Sequence, residues 1–263
     1  MIRRAGTTGR ILGLIVIISL NTLFLGAAPE KERSVPKRVL FIGNSYTAQI
    51  KEELLHMLAH SPYQETTFEF ITKGGATLQQ FLTDGSTLKR IRTGKWDVVI
   101  LQEQSQRPAL PGKYEKSFHM AAAMFTLLVR SAGAEPVLFM TWGRRDGDVQ
   151  NRRLFPDYAT MQKRLSEAYR TAAKKNEAIL APVGQAWFTV QQWDKALWRN
   201  LYARDGSHPS SRGAHLASCV FFRVLFGDSL ESVQSRDKLS NRERHIIREA
   251  VLSVTRVNNK QTK

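Results

Sequence analysis

The sequence predicts an α/β protein in which a parallel sheet is covered by helices on both sides. Three observations carry that prediction. Short apolar runs such as Val39-Leu40-Phe41-Ile42 and Val98-Val99-Ile100-Leu101 are continuous rather than alternating, as strands buried on both faces are. Each run is followed by a segment with helical spacing of its apolar residues, so strands and helices alternate along the chain. Polar, glycine-bearing stretches fall just past the strand ends, where open α/β sheets bind their ligands.

Taken in order, Arg38 to Ile42 reads as the first strand and ends at Gly43. Ala48 to His60 is the first helix, with Ile50, Leu54, Leu55 and Leu58 near one face, and Pro62 ends it. Thr66 to Ile71 is the second strand, and Lys73 to Thr77 is a glycine turn into one helix carrying Leu78, Phe81 and Leu88. Trp96 to Leu101 is the third strand, Tyr114 to Arg130 a helix capped by Gly133, and Pro136 to Met140 the fourth strand. After a polar connection from Thr141 to Phe155 comes a helix from Tyr158 to Lys175, then a short fifth strand, Ala178 to Val183. Gln185 to Arg199 reads as one helix bearing Trp187, Trp193 and Trp198, which are expected in the core. Gly213 to Phe226 and Asn241 to Val257 complete the set. Five strands in this alternation fit a three-layer, flavodoxin-like order, with residues 38–257 as one domain and 258–263 as a tail.

A chain of 263 residues holds one such domain and a targeting segment. Arg3, Arg4 and Arg10 precede an apolar run from Ile11 to Leu25, followed by the small residues Gly26-Ala27-Ala28. That pattern predicts a signal peptide or membrane anchor over residues 1–28, a linker over 29–37 and an exported domain. The formal net charge of +16 is spread along the chain, without a nucleic-acid-binding signature, and reads first as a basic, well-solvated surface; as a functional use of that charge, an anionic glycan or membrane surface is a better partner than nucleic acid. Cys219 is the only cysteine, which excludes an intrachain disulfide, and its apolar neighbours predict a buried thiol.

Two distant stretches carry the chemistry. Gly43-Asn44-Ser45-Tyr46-Thr47 places a hydroxyl where a strand ends and a helix begins, so that free N–H groups and the helix dipole favour negative charge. Asp205-Gly206-Ser207-His208-Pro209 places a carboxylate three residues before an imidazole in a tight turn. Ester hydrolysis needs a nucleophile, a base and donors aimed at the developing oxyanion. Ser45, His208 and Asp205 supply residue types for nucleophile, base and orienter, and the N–H groups of Ser45 and Gly75 with the Gln104 side-chain amide are candidate donors. Read singly, a serine in this place is a helix cap and the Asp-x-x-His a local turn. No Gly-x-Ser-x-Gly elbow occurs, which argues against an α/β-hydrolase fold.

Gly43-Asn44-Ser45-Tyr46-Thr47, Gly75, Gln102-Glu103-Gln104-Ser105 and Asp205-Gly206-Ser207-His208-Pro209 together resemble the four blocks of the SGNH (GDSL-type) hydrolases. The resemblance spans residues 38–226. It implies a flavodoxin-like α/β/α fold, a serine esterase, lipase or carbohydrate deacetylase activity, and no metal or cofactor. It assigns the nucleophile to Ser45, an oxyanion glycine to Gly75, and acid and base to Asp205 and His208. The first block has Asn44 where the family usually has Asp, and Gln104 stands at the position of an oxyanion-hole asparagine.

Asn44, Trp142, Arg144 and Arg145 are the candidate substrate contacts. An arginine suits a carboxylate or sulfate, and a tryptophan suits stacking on a sugar ring; a surface ion-pair loop with one buried aromatic is the alternative. Glu52, His56 and His60 share a helical face but read as a solvated surface rather than a metal site. The expectation is an exported esterase that removes acyl groups, acetyl first, from a carbohydrate. The alternatives are a non-catalytic module that binds an anionic glycan, and a lipase or thioesterase.

Overall fold

A computed structural model of the chain describes residues 1–2, 35–231 and 233–255. The expected signal segment and the C-terminal tail lie outside the described residues, as does most of the expected linker. Strands β1 (Arg38–Gly43), β2 (Thr67–Thr72), β3 (Val98–Leu101), β4 (Glu135–Phe139) and β5 (Ile179–Ala181) pair in the order β2-β1-β3-β4-β5. Every pairing is parallel.

Why the central strands β1 and β3 are almost wholly apolar is visible in the register. Val39 pairs with Val98 and Leu40 with Val99, so side chains of successive residues line opposite faces in matched rows. Val39, Phe41, Val98, Ile100, Val137 and Phe139 face helices α1 (Ser45–Ala59), α6 (Val183–Trp193), α8 (Ser211–Phe226) and α9 (Asn241–Val254). Leu40, Ile42, Val99, Leu101 and Leu138 face α2 (Leu78–Leu82), α3 (Gly85–Thr93), α4 (Lys113–Ser131) and α5 (Tyr158–Lys175). The two cores contribute Phe221 and Trp187 on one side and Phe118, Phe125 and Tyr169 on the other, all fully buried.

Polar side chains reset some of the predicted boundaries. Helix α1 starts at Ser45 rather than Ala48, because the Asn44 carboxamide accepts from the Tyr46 N–H and caps it. The single helix expected after Gly75 is two. Thr77 and Gln80 form a capping box for α2, and Asp84 accepts from the N–H groups of Ser86 and Thr87 to start α3. Asp194 likewise divides the expected tryptophan helix into α6 and α7 (Lys195–Asn200), its carboxylate accepting from Leu197 N–H. Trp187 and Trp198 are buried as expected, whereas Trp193 is 52% exposed.

The connections leaving β1, β2, β3 and β4 gather at the C-terminal edge of the sheet. The turn containing Asp205 joins them, because the Arg145 N–H, in the connection after β4, donates to the Gly206 carbonyl at 2.8 Å. That edge is where the candidate residues meet.

Candidate active site

Ser45 is the first residue of α1, held by the Asn44 cap where the chain leaves β1. Gly43 is required just before it. A Cβ there would collide with Thr47 Oγ1 and Gln102 Oε1, which pack against its bare backbone. Across the edge, the Ala203 N–H donates to the His208 carbonyl at 2.9 Å and Tyr202 bridges Pro209, closing a hairpin-like turn. Gly206 sits at its tip with φ of +66°.

This turn brings residues 163 positions apart into contact: Ser45 Oγ lies 2.9 Å from His208 Nε2. His208 Nδ1 is 2.6 Å from Asp205 Oδ2, while Asp205 Oδ1 accepts from the N–H groups of Ser207 at 2.9 Å and His208 at 3.0 Å. Partial burial raises the Asp205 carboxyl, but the hydrogen bonds from His208 and from the two backbone N–H groups outweigh it and hold the group below its ordinary range. A carboxylate thus faces one imidazole nitrogen and a serine hydroxyl faces the other.

An aromatic wall sets the angle of this turn. Tyr46 stacks on Trp142 with centroids 4.7 Å apart, and Trp142 stacks on Trp187 at 4.0 Å. The edge of this wall meets the imidazole, with Tyr46 and His208 centroids 5.3 Å apart in a T-shaped contact. Two polar tips then fix Ser207, the residue before the histidine. Tyr46 shares a hydrogen bond with its hydroxyl at 2.7 Å, and Trp142 Nε1 donates to its carbonyl at 3.0 Å. Burial pushes the Tyr46 phenol up, against opposing hydrogen bonds from Ser207 and Ser105, so it stays neutral.

The N–H groups of Ser45 and Gly75 have no hydrogen-bond partner among the described residues. Gly75 is exposed at φ of +66° and a Cβ there would meet nothing within 4 Å, so its requirement is the left-handed backbone and not crowding within the protein. The third expected donor, Gln104, is engaged elsewhere. Its Oε1 accepts from the N–H groups of Gln106 and Arg107, and its Nε2 donates to Gln106 Oε1 at 2.9 Å. One methylene more than asparagine lets the carboxamide fold back over its own turn.

The structure corrects two of the expected substrate contacts. Trp142 is fully buried in the aromatic wall and presents no face to a sugar. Asn44 is buried too, its Nδ2 donating to the Ala76 carbonyl at 3.1 Å, so it clasps the Gly75 loop to α1. Arg144 and Arg145 each keep 23% of their side chains exposed. Arg144 pairs with buried Asp148 at 2.7 Å, and Arg145 pairs with Asp146 at 2.8 Å beside Gly206. Sequence reasoning missed Tyr46, Ser207, Gln102, Glu103 and Asp148. Gln102 and Glu103 had a local signal, in the polar run from Gln102 to Arg107 directly after an apolar strand, and so had Tyr46, an aromatic beside a nucleophile candidate; Ser207 and Asp148 had none of that kind. Among the described residues no group of three or more His, Cys, Asp or Glu side chains is placed to hold a metal ion.

No family profile and no curated protein matches the chain. Solved structures do. A protein from Slackia heliotrinireducens assigned to the SGNH hydrolases is 31% identical, with the match covering 70% of this chain and 96% of that one at a TM-score of 0.59. This chain belongs to the SGNH hydrolases. Two further structures share the SGNH hydrolase fold at lower identity. A DUF4886 family protein from Bacteroides uniformis is 16% identical, covering 82% of this chain and 93% of its own, with a TM-score of 0.69. An acetyl xylan esterase is 12% identical, covering 72% of this chain and all of its own, with a TM-score of 0.57.

Proposed function

We propose that this SGNH hydrolase is an exported serine esterase acting on acylated, first of all acetylated, carbohydrate. The observation that carries the reading is the unbroken hydrogen-bonded line from Ser45 through His208 to Asp205. Ser45 Oγ attacks the ester carbonyl while His208 Nε2 takes its proton. Asp205 holds the Nδ1 proton in place and stabilises the imidazolium. The Ser45 and Gly75 N–H groups, both without a partner among the described residues, receive the oxyanion. Collapse breaks the bond to the leaving alkoxide, which takes the proton from His208 and departs as the alcohol. Water, deprotonated by His208, then attacks the acyl-Ser45 ester, and the acid leaves with Ser45 reprotonated.

Three features favour a carbohydrate ester. Ser45 and His208 are partly exposed at the sheet edge, Arg144 and Arg145 lie near the turn with part of each side chain exposed even though each is paired with an aspartate, and the first 28 residues read as an export segment. The acetyl xylan esterase of the same fold is consistent with that choice and supports the fold alone. Hydrolysis of p-nitrophenyl acetate against longer-chain esters, with Ser45→Ala alongside, tests the proposal. Turnover greatest on acetate and lost in Ser45→Ala is expected. Turnover that peaks on long chains would make the chain a lipase instead.

A second reading is a non-catalytic module that holds an anionic glycan in the same cleft. The engagement of Gln104 with Gln106, which leaves two backbone donors in place of three, favours it. A folded protein that turns over no ester would select this reading.

A further inference from the structure

Glu103 is fully buried, yet neither its charge nor its packing is used by the chemistry above. Its Oε1 accepts from two backbone N–H groups at once: Gln104 at 2.6 Å and Leu78 at 3.2 Å. Leu78 opens α2 directly after the loop that carries Gly75, and Gln104 lies in the loop after β3. One oxygen therefore ties together the two loops that flank the expected oxyanion position. The residue before it makes a matching tie on the other side. Gln102 Oε1 accepts from the Asn44 N–H at 2.8 Å and from Thr47 Oγ1 at 2.9 Å, beside Ser45, while its Nε2 donates to the Glu103 carbonyl.

A space-filling role is a poor explanation for a carboxyl here. Glu103 Oε2 is buried without a hydrogen-bond partner among the described residues, a cost that an apolar side chain of similar size would avoid. What an apolar side chain cannot do is accept two N–H groups from different loops. Oxyanion donors act through their placement, and small displacements of a donor remove its effect on the transition state.

We propose that Glu103 is the positioning residue of the oxyanion pocket, its Oε1 holding the Gly75 loop in register with the loop after β3. The inference rests on the esterase reading of Ser45. Burial pushes the Glu103 carboxyl up to about 7, against the hydrogen bonds from Gln104 and Leu78 and the charge of Arg107. The groups that face it are Arg107, on the short turn after β3, and the Tyr169 phenol of α5; α2 offers the Leu78 N–H. A protonated carboxyl accepts less strongly than a carboxylate, so the tie slackens as pH falls through about 7. The effect on stability has the opposite sign. With a folded value above the ordinary 4.5, this group favours the fold most below that value and loses its contribution as pH rises through about 7.

The test compares the full chain with Glu103→Gln, which keeps an acceptor oxygen and cannot ionise, and Glu103→Ala, which has none. Steady-state rates on p-nitrophenyl acetate are read per folded molecule across neutral pH, together with amide hydrogen exchange at Leu78 and Gln104. In Glu103→Ala, kcat is expected to fall on the order of 10²-fold with KM nearly unchanged, the mark of an interaction made in the transition state. Exchange at both amides accelerates in the same variant. Glu103→Gln retains the protection, recovers most of kcat, and loses the part of the pH dependence that belongs to Glu103. Equal kcat in Glu103→Ala and wild type, or equal losses in both variants, overturns the proposal. Absence of Ser45-dependent turnover in the wild type would sink the esterase reading instead. The exchange comparison then decides the loop tie alone: unchanged protection in Glu103→Ala overturns it, and loss there with retention in Glu103→Gln supports it.

Discussion

A serine hydroxyl is a weak nucleophile on its own, and what distinguishes Ser45 is the set of atoms held around it. His208 reaches it because Ser207 is fixed twice, by the Tyr46 hydroxyl and by the Trp142 indole. Removing one of those ties without opening a cavity tests their importance. Tyr46→Phe is expected to cost about 1 kcal/mol of stability, the usual contribution of one hydrogen bond, and to lower kcat while leaving KM nearly unchanged. Urea unfolding and steady-state kinetics on the same preparation check both. The sequence singled out Ser45, Asp205 and His208 because their residue types and order suit one chemistry, and the fold brings the three side chains into contact. It left Asn44 and Trp142 misread as substrate contacts, since burial decides their use and burial comes from the packing of distant elements. Gln104 differs again. Its amide was expected to face the oxyanion, and the short-range competition from Gln106 and Arg107 captured it.

At the scale of elements, α1 and α8 must keep a fixed relation, because α1 begins with Ser45 and α8 follows the His208 turn. A buried pair clasps them: His215 Nδ1 lies 2.8 Å from Glu53 Oε1, and His215 Nε2 faces Cys219 Sγ at 3.5 Å. Burial lowers the His215 imidazole, but Cys219 and the Glu53 carboxylate outweigh it and raise the group to about 10. With a folded value above the ordinary 6.5, the clasp contributes fully below that pH and is lost as pH rises through about 10. His215→Ala is therefore expected to cost ~3–5 kcal/mol near neutral pH, because it leaves a buried carboxylate without its counter-ion. The gap between variant and wild type in urea should narrow as pH approaches 10; a gap that stays constant contradicts the assignment. The elements themselves were mostly readable from apolar periodicity. The extra breaks at Asp84 and Asp194 follow from capping, whose side chains also suit a helix surface, so periodicity passes over them.

For the whole molecule, the fold was legible because two independent patterns agree. Continuous apolar strands demand cover on both faces, and the alternating helices supply it in two separate cores. The strand order β2-β1-β3-β4-β5 then brings the ends of β1, β2 and β3 side by side, so loops distant in sequence meet at one edge. The sequence could place each candidate at a strand end, but not show which side chains would face the cleft. That depends on ties such as Gln102 to Asn44 and Glu103 to Leu78, made between residues 58 and 25 positions apart. The central claim is that this architecture activates one serine, and covalent labelling addresses it without knowledge of the natural substrate. Intact-mass analysis after treatment with a fluorophosphonate should show a single adduct on Ser45. The adduct should be absent in Ser45→Ala and much slower to form in His208→Ala. A folded wild-type protein that remains unlabelled, or an adduct that persists in Ser45→Ala, would contradict the account.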